Sequence, residues 1–312
     1  MKICLAGEGA QGHSHMQALS KMDGIEVATL AGGLEADTAA FAREWKIPHY
    51  STNLEECLEQ PGVEAVILGT PNQLHAAQAI RALAMGKHVL VEIPMGVTLK
   101  EARQVVEWEE RTGLVCMVCH SQRFSSLFQE VHRRVHAGEL DLHHIVQQTF
   151  FFRRENINRF GKPRTWVDNL LWHQAGHMVD MVYWLLDDPQ MIAWGQAGPI
   201  HPLLGIPLDI SIGLRSAGGC LVTAAQSFNH HGPIQGVYRF IGEQATLVAS
   251  KGKLQDHEGR EIPLIPGGGV IEQNREFFAA IRQGRKALTS CSACLPVMEI
   301  IDRIQQAIDS RL

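Results

Sequence analysis

The chain begins with an apolar segment that runs directly into three spaced glycines. Residues 5–12 read Leu-Ala-Gly-Glu-Gly-Ala-Gln-Gly, so a G-x-G-x-x-G pattern follows the strand-like Ile3–Ala6 and precedes the helix-like His13–Lys21. In such a pattern Gly7 permits a tight turn, Gly9 lets the backbone approach a pyrophosphate, and Gly12 lets the helix pack closely on the strand. The N–H groups at the start of the helix then face the phosphates. This arrangement predicts a dinucleotide-binding fold.

Composition and charge limit the classes of protein to which this chain can belong. A chain of 312 residues is long enough for about two domains, and contents of 45% hydrophobic and 20% charged residues are ordinary for a globular protein. The net charge of −5 gives no electrostatic reason to expect a nucleic-acid partner. No apolar run approaches the ~20 residues of a membrane span, and the first residues read as a strand rather than a signal peptide. We therefore expect a cytoplasmic protein with no membrane partner.

The seven cysteines are an odd number, which indicates reduced thiols rather than a disulfide framework. Cys116 and Cys119, followed by His120, match the pattern of covalent haem attachment, and Cys291 and Cys294 form a second C-x-x-C pair. The first pair lies in an apolar, strand-like run, where residues three apart point to opposite faces. We therefore favour ordinary thiols over a haem or zinc site at both pairs.

Strand-like and helix-like segments alternate through the first 120 residues. The predicted strands are Ile3–Ala6, Ile25–Leu30, Ala65–Gly69, His88–Glu92 and Gly113–Cys119. The predicted helices are His13–Lys21, Ala36–Trp45, one opened by a capping box at Thr52–Glu55, Leu74–Met85, and one from a second capping box at Thr98–Glu101 to Gly113. Near-continuous Val, Ile and Leu strands between helices predict a parallel sheet covered on both faces.

Ligands of such a sheet bind at the carboxyl ends of its strands. We predict cofactor contacts from Gly7, Gly9, Ala10, Gln11, Gly12, Gly32, Gly33, Thr70, Pro71, Asn72, His75, Glu92 and Pro94. The second strand ends without the carboxylate that typically binds the ribose hydroxyls of NAD, and without an arginine for the phosphate of NADP. The missing carboxylate favours NADP, although Glu35 at the helix start could still favour NAD. We expect NADP as the cofactor, with NAD as the alternative.

After residue 120 the pattern becomes α+β. The predicted helices are Ser125–Ala137, Ile271–Arg282 and Leu295–Leu312. The predicted strands are Ile145–Phe152, Leu208–Leu214, Cys220–Phe228, Val237–Ile241, Ala245–Ala249 and Lys253–Gln255, with a hairpin turn at Ser216–Gly219. We predict a dinucleotide-binding domain at 1–120 and a substrate-binding α+β domain with a largely antiparallel open sheet at 121–312, the last helices being free to pack back on the first domain.

One helix-like segment of the second domain carries His173, His177 and Asp180 at i, i+4 and i+7, which would place them on one face. A metal site is one interpretation, because this spacing suits His and Asp ligands, but no further ligand is evident. A buried core histidine is a second. We favour a third, in which His177 is a general base near a nicotinamide and His173 assists it, because imidazole titrates near physiological pH.

Polar and aromatic residues around this segment predict a substrate-binding region. They are His120, Arg123, Arg153, Arg154, Asn156, Arg164 and Trp172. The guanidinium fork matches a carboxylate bidentately. For any single arginine an exposed salt bridge is an equal alternative, but four arginines together predict a small-molecule substrate that bears carboxylates.

Four motifs spread along the chain resemble those of the glucose–fructose oxidoreductase/inositol dehydrogenase/rhizopine-catabolism (Gfo/Idh/MocA) family. They are Gly7-x-Gly9-x-x-Gly12-x-x-His15, Thr70-Pro71-Asn72-x-x-His75, Gly86-Lys-His-Val-Leu-Val-Glu92-x-Pro94 and Gly176-His177-x-x-Asp180. The resemblance implies a Rossmann domain with a second α+β domain, NAD(P)-dependent oxidation of a CH–OH group, and a homodimer or higher homo-oligomer. The family's Glu-Lys-Pro motif supplies a lysine near the reacting carbon. Ile93 replaces that lysine here, and His173 replaces an aspartate one helical turn before the histidine.

Further segments sharpen the resemblance within that family. They are 113–118, 151–154, 170–173, 198–202 and 227–229, and they look like a member that acts in aromatic-acid degradation. This implies oxidation of the cyclic hemiacetal of 4-carboxy-2-hydroxymuconate-6-semialdehyde, or of a similar carboxylated hemiacetal or alcohol, to a pyrone dicarboxylate. The alternatives are a sugar or inositol dehydrogenase of the same family and a non-catalytic NAD(P)-dependent sensor.

Overall fold

The computed structural model describes residues 1–158, 161, 163–164 and 166–310. The chain forms two units. The first contains Met1–Ser121 and Gly268–Leu295, and the second contains Gln122–Gly267 and Pro296–Leu312. The first unit therefore contains a later segment of the chain in addition to its N-terminal part.

Helices and strands alternate in the first unit, whereas most strands of the second follow one another directly. The strands are β1 Lys2–Ala6, β2 Glu26–Ala31, β3 His49–Ser51, β4 Val63–Leu68, β5 His88–Val91, β6 Cys116–Val118, β7 Leu142–Phe150, β8 Ile192–Ala197, β9 Asp209–Arg215, β10 Leu221–Ser227, β11 Gln235–Gly242, β12 Thr246–Ser250 and β13 Lys253–Gln255. The helices are α1 Ala10–Leu19, α2 Glu35–Trp45, α3 Leu54–Leu58, α4 His75–Ala84, α5 Leu99–Thr112, α6 Ser126–His136, α7 Gly176–Leu186, α8 Val270–Gln283 and α9 Cys291–Asp309. None of these described helices combines the length and apolarity needed to cross a membrane.

A parallel sheet of six strands forms the centre of the first unit. Its strand order is β3-β2-β1-β4-β5-β6, and each neighbouring pair is parallel. In β1, β4 and β5 nearly every side chain is buried, which explains the continuous apolar runs. The predicted parallel sheet is confirmed, although the short β3 was not predicted.

The two predicted capping boxes have different outcomes. The Thr98 hydroxyl accepts a hydrogen bond from the Glu101 N–H at 3.2 Å and caps α5, as predicted. The cap of α3 is Asn53, whose side chain accepts from the Glu55 N–H at 2.9 Å. The prediction of Thr52 as this cap is wrong by one residue, because Asn is an equally strong cap and lies one position closer to the helix.

A mixed sheet of seven strands forms the second unit. Its order is β13-β12-β11-β7-β10-β9-β8, in which β7 and β10 are parallel and the other neighbours are antiparallel. Ser216 and Cys220 close the predicted hairpin between β9 and β10 with a backbone hydrogen bond of 3.0 Å. Alternate residues of β9 are buried (Ile210, Ile212 and Leu214), which matches a sheet with one packed face. The largely antiparallel sheet is confirmed, and β8 was not predicted.

Candidate active site

The loop between β1 and α1 has the form of a phosphate cradle. Gly7 adopts a φ of +105°, and a Cβ there would lie 2.4 Å from the carbonyl oxygen of Gly69. A Cβ on Gly12 would lie 2.1 Å from the carbonyl oxygen of Gly7. A Cβ on Gly9 would meet no described atom within 4 Å, so the space beside it is open. Helix α1 begins at Ala10 without a side-chain cap, which leaves its first N–H groups for phosphate oxygens. These features fit a dinucleotide pyrophosphate.

His75 ties together the loops that follow β4 and β5. Its Nδ1 lies 2.8 Å from the carbonyl oxygen of Pro94, and its Nε2 lies 2.8 Å from the carbonyl oxygen of Thr70. The Thr70 hydroxyl donates to the Gln78 side-chain oxygen at 2.5 Å. Because both neighbours are carbonyl oxygens, a neutral ring donates to one of them at a time, and a contact of His75 with the cofactor stays a prediction. The Pro71-Asn72 pair follows β4, at the carboxyl end where such sheets bind ligands.

Glu92 belongs to a buried polar cluster rather than to an open surface. Its Oε1 lies 3.0 Å from Nε2 of His15, and Nδ1 of that ring lies 3.1 Å from the Asn274 amide. Burial, and next the Glu92 carboxylate, raise the pKa of the Cys119 thiol well above its usual range. Candidate ligand atoms of His15, Glu92 and Cys119 lie within 4.8 Å of one another. We interpret the cluster as a hydrogen-bonded core, and a contact of Glu92 with the cofactor stays a prediction.

The two cysteines of the first C-x-x-C pair have different neighbours. The Cys116 sulfur lies 3.2 Å from the Cys291 sulfur, whereas Cys119 belongs to the cluster of His15 and Glu92. Both cysteines are buried. This agrees with the alternation of side chains along a strand, by which residues three apart point to opposite faces.

The end of β2 contains a carboxylate that sequence analysis missed. A Cβ on Gly32 would lie 2.7 Å from Cβ of Thr38, so a side chain does not fit at that position. Instead, Oε1 of Glu8 accepts from the Gly33 N–H at 2.9 Å and from the Leu34 N–H at 3.4 Å. The signal lay in the glycine motif itself, since Glu8 occupies the variable position between its first two glycines.

In the second unit, a π-helical turn carries His173. Residues Leu170–Ala175 form this turn, in which the Gln174 N–H bonds to the Asn169 carbonyl oxygen, five residues back, at 3.2 Å. The Asn169 side chain caps the turn by accepting from the N–H groups of Leu171 and Trp172. Single π turns inside helices are frequent at functional sites.

Asp168, which sequence analysis also missed, organises the side chains around this turn. Its carboxylate is 3% exposed and lies 2.8 Å from Nη1 of Arg153 and 3.4 Å from Nδ1 of His173. The Gln174 amide donates to both of its oxygens, at 2.9 and 3.1 Å. Asp168 therefore holds an arginine and a histidine that were both predicted to act on substrate. A carboxylate just before a histidine-bearing helix is the signal that could have identified it.

The Arg164 guanidinium lies beside an aromatic ring and has two nitrogens without a hydrogen-bond partner in the described part of the chain. Its guanidinium carbon lies 4.7 Å from the ring centroid of Trp166, which in turn stacks parallel to His173 at 5.7 Å. Its Nε and Nη2 atoms are buried and have no hydrogen-bond partner among the described residues. Burial, and next the nearby Arg153, lower the pKa of this guanidinium, while Asp168 opposes the shift. Because arginine remains charged in proteins, its buried donors are suited to an anion.

His177 and Asp180 lie on α7, which continues directly from the π turn. His177 is half-buried near the start of α7. Asp180 is 1% exposed, and Arg123 donates to its carboxylate from Nε at 2.9 and 3.0 Å and from Nη2 at 2.5 Å. His173 instead contacts Asp168 from within the π turn. His173 therefore lies outside the α-helix that carries the other two residues, and Arg123 has an internal partner. The roles of His173 and Arg123 at the substrate stay predictions.

Arg154 also has internal partners. Its Nη1 donates to the carbonyl oxygens of Arg153 and Phe228, at 2.9 and 3.0 Å. Its Nη2 donates to the Asn229 side-chain oxygen at 2.5 Å. These bonds fix the backbone after β7 against the segment after β10, and a contact of Arg154 with substrate stays a prediction.

The structure also places three further residues that were predicted to bind substrate. Asn156 donates from its amide to the Arg164 carbonyl oxygen at 3.0 Å and so closes the loop that carries Arg164. Trp172 is buried, and its Nε1 donates to the Gln305 side chain at 3.2 Å, which places it in the core of the second unit. The linear spacing does not reveal these two hydrogen bonds, and contacts of Asn156 and Trp172 with substrate stay predictions. His120 is buried directly after β6 in the first unit, and its contact with substrate stays a prediction.

The fold and the cradle define an oxidoreductase with an NAD-binding Rossmann unit. Residues 1–120 match the family model described as the oxidoreductase family with an NAD-binding Rossmann fold, and residues 126–266 match the model of bacterial oxidoreductases, C-terminal. A 4-carboxy-2-hydroxymuconate-6-semialdehyde dehydrogenase from Sphingobium sp. (strain NBRC 103272 / SYK-6) is 39% identical over an alignment 319 positions long, which covers 100% of both chains. The chain belongs to the Gfo/Idh/MocA family of oxidoreductases.

Other relatives have different named substrates. A scyllo-inositol 2-dehydrogenase (NAD(+)) from Bacillus subtilis (strain 168) is 31% identical over 141 residues, 45% of this chain and 41% of the relative. Among solved structures, levoglucosan dehydrogenase in complex with NADH and levoglucosan superposes with a TM-score of 0.87 at 18% identity, covering 100% of this chain and 98% of the other. At that identity the structural likeness establishes the fold alone.

Proposed function

We propose that the protein is an NAD(P)-dependent dehydrogenase that oxidises a carboxylated cyclic hemiacetal to a pyrone dicarboxylate. The substrate we infer is the hemiacetal of 4-carboxy-2-hydroxymuconate-6-semialdehyde or a similar compound. The observation that carries this proposal is the buried, unpaired donor set of Arg164 among the described residues. The full-length similarity to a dehydrogenase named for that semialdehyde supports it.

The charge balance around Asp168 favours an acidic substrate over a neutral sugar. Two guanidinium groups, Arg153 and Arg164, interact with this one buried carboxylate, and it makes its ion pair with Arg153. A sugar hydroxyl would supply no charge to compensate Arg164. A substrate carboxylate would supply a charge-assisted, bidentate bond to Arg164, roughly twice as strong as a neutral hydrogen bond.

The proton of the substrate hydroxyl is taken up by histidine in this proposal. Ile93, 4% exposed and apolar, stands where the family motif has lysine, so this position cannot carry a proton. We assign the general base to His177. His173, whose Nδ1 lies 3.4 Å from an Asp168 oxygen, assists it. A bound nicotinamide supplies the acceptor for the hydride from the carbon that bears the hydroxyl.

The proposal is tested by a nicotinamide-reduction assay with the ring-cleavage product of protocatechuate, run separately with NAD and NADP. Scyllo-inositol and a neutral sugar serve as comparison substrates. We expect kcat/KM for the carboxylated hemiacetal to exceed that for either polyol by roughly 10- to 150-fold, as a charge-assisted contact worth about 1.5–3 kcal/mol allows. Turnover of polyols alone would favour a sugar or inositol dehydrogenase. Cofactor binding without reduction of any substrate would favour the sensor.

A variant separates chemistry from binding. His177→Asn should lower kcat by about 10²–10⁴-fold, the usual range for loss of a general base, while NADH affinity stays unchanged. His143→Asn is the matched control, because His143 is an exposed histidine of β7 whose side chain is 55% accessible. Normal turnover by His177→Asn would remove the assignment of the base. The cytoplasmic location and the homo-oligomeric state stay predictions, and light scattering after size-exclusion chromatography tests the second.

A further inference from the structure

The carboxyl end of β2 usually determines which nicotinamide cofactor a Rossmann fold accepts, through an acidic side chain or an arginine there. In this chain the first residue after β2 is Gly32. Its hypothetical Cβ would lie 1.9 Å from Oγ1, 2.6 Å from Cγ2 and 2.7 Å from Cβ of Thr38. Thr38 is fully buried, and its hydroxyl donates to the Leu34 carbonyl oxygen at 2.7 Å. Packing therefore excludes a selecting side chain at position 32.

A carboxylate nevertheless occupies this end of the sheet. Glu8, from the glycine loop, accepts from the Gly33 N–H through both oxygens, at 2.9 and 3.2 Å, and from the Leu34 N–H at 3.4 Å. These N–H groups directly precede α2, where the helix dipole stabilises negative charge. The backbone donors that a phosphate would need at this position are thus already bonded to a carboxylate of the protein.

The surrounding charges have the same sign. Glu35 and Asp37 lie in the first turn of α2, whereas the basic residue of this helix, Arg43, lies in its last turn. A ribose 2′-phosphate would bring a further charge of roughly −1.5 to −2 beside these carboxylates. A ribose hydroxyl carries no charge and can donate to a carboxylate, which has about four acceptor positions.

We propose that Glu8 is the residue that selects NAD over NADP in this protein. It accepts from the ribose hydroxyls of the adenosine half and repels a 2′-phosphate. This reverses the preference for NADP expected from the sequence, because the missing carboxylate of β2 is supplied by the glycine loop. The inference rests on cofactor binding by the Rossmann unit and is independent of the substrate.

The test measures binding rather than turnover. Dissociation constants of NADH and NADPH are determined by fluorescence titration for the wild type, Glu8→Gln and Glu35→Gln. We expect the wild type to bind NADH at least tenfold more tightly than NADPH, since like charges a few ångströms apart near a protein surface change affinity by about tenfold or more. Glu8→Gln should reduce this ratio at least tenfold. Glu35→Gln, which removes the same charge from the same helix end, should change it less than about threefold.

Two results would overturn the proposal. One is a wild type that binds NADPH as tightly as NADH. The other is an equal effect of the Glu8→Gln and Glu35→Gln substitutions, which would indicate a general effect of charge. Titration of the wild type with 5′-ADP and 2′,5′-ADP needs no variant, and weaker binding of the second ligand is expected. Equal affinity for both would also contradict the assignment. Since these probes include no substrate, a failure to oxidise any hemiacetal would leave the result interpretable.

Discussion

Removal of the Arg123 side chain should destabilise the second unit rather than weaken substrate binding. Arg123 donates three hydrogen bonds to Asp180, and the two side chains are 10% and 1% exposed. The guanidinium also lies 5.8 Å from the ring centroid of Trp184. The Arg123→Ala substitution would leave the Asp180 carboxylate buried without its cation. Breaking a buried pair in this way typically costs about 3–5 kcal/mol.

This loss should be visible in thermal unfolding. For a unit of about 160 residues, each kcal/mol lowers the melting temperature by about 2–4 °C, so a fall of roughly 6–20 °C is expected. The melting temperature is measured by calorimetry, and KM for the carboxylated hemiacetal is measured in parallel at 20 °C. The double variant Arg123→Met/Asp180→Leu should be more stable than Arg123→Ala, because it leaves no uncompensated charge.

A structural role for Arg123 would be contradicted if Arg123→Ala melted within about 2 °C of the wild type, a shift of no more than ~1 kcal/mol, while KM rose tenfold. That result would return Arg123 to the predicted role of a substrate ligand. Equal instability of the double variant and of Arg123→Ala would also contradict it, because relief of the buried charge is the stated cause.

Three further predictions concern other parts of the molecule. Burial, and then His136 and Arg123, lower the pKa of His132 to about 4. The unfolded chain takes up this proton near pH 6.5, so stability from the neutral ring is present above pH 6.5 and is lost as the pH falls towards 4. The urea concentration at the midpoint of unfolding should therefore fall more over this range for the wild type than for His132→Gln. Gly12→Ala should lower the melting temperature, because its Cβ would lie 2.1 Å from a backbone oxygen, whereas Gly9→Ala should fold normally and weaken NADH binding by filling open space. Trp172→Phe should lose about 1 kcal/mol of unfolding free energy with the bond to Gln305 and leave KM unchanged.

Features of the fold that depend on a local sequence pattern could be predicted from the sequence. The phosphate cradle could be predicted from the three spaced glycines, because each lies where a side chain does not fit or where space for a phosphate is needed. The parallel sheet follows from strands that are buried on both faces and are therefore apolar throughout. The β9–β10 hairpin follows from turn residues between alternating strands.

The partners of the predicted site residues could not be obtained in the same way. Arg123 and Asp180 are separated by 57 positions, and only the tertiary fold brings them together. A π turn cannot be distinguished from an α-helix by apolar periodicity, so the sequence did not reveal that His173 lies in such a turn.

The carboxylate at the end of β2 was missed for a related reason. The expected position holds Gly32, and the group that replaces its side chain comes from Glu8 on a different loop. A sequence motif specifies a residue type at one position of the chain. It does not reveal a side chain that reaches the same place from another segment of the fold.

The most direct test of the substrate proposal is the preference of the enzyme for a carboxylated hemiacetal over its uncharged methyl ester, measured as a ratio of kcat/KM. The wild type is compared with Arg164→Gln and with Arg239→Gln, which removes an exposed arginine from β11. Loss of a charge-assisted bond worth about 1.5–3 kcal/mol predicts a fall of roughly 10- to 150-fold in this ratio for Arg164→Gln and little change for Arg239→Gln. An unchanged ratio in Arg164→Gln would contradict the assignment of that guanidinium to the substrate carboxylate.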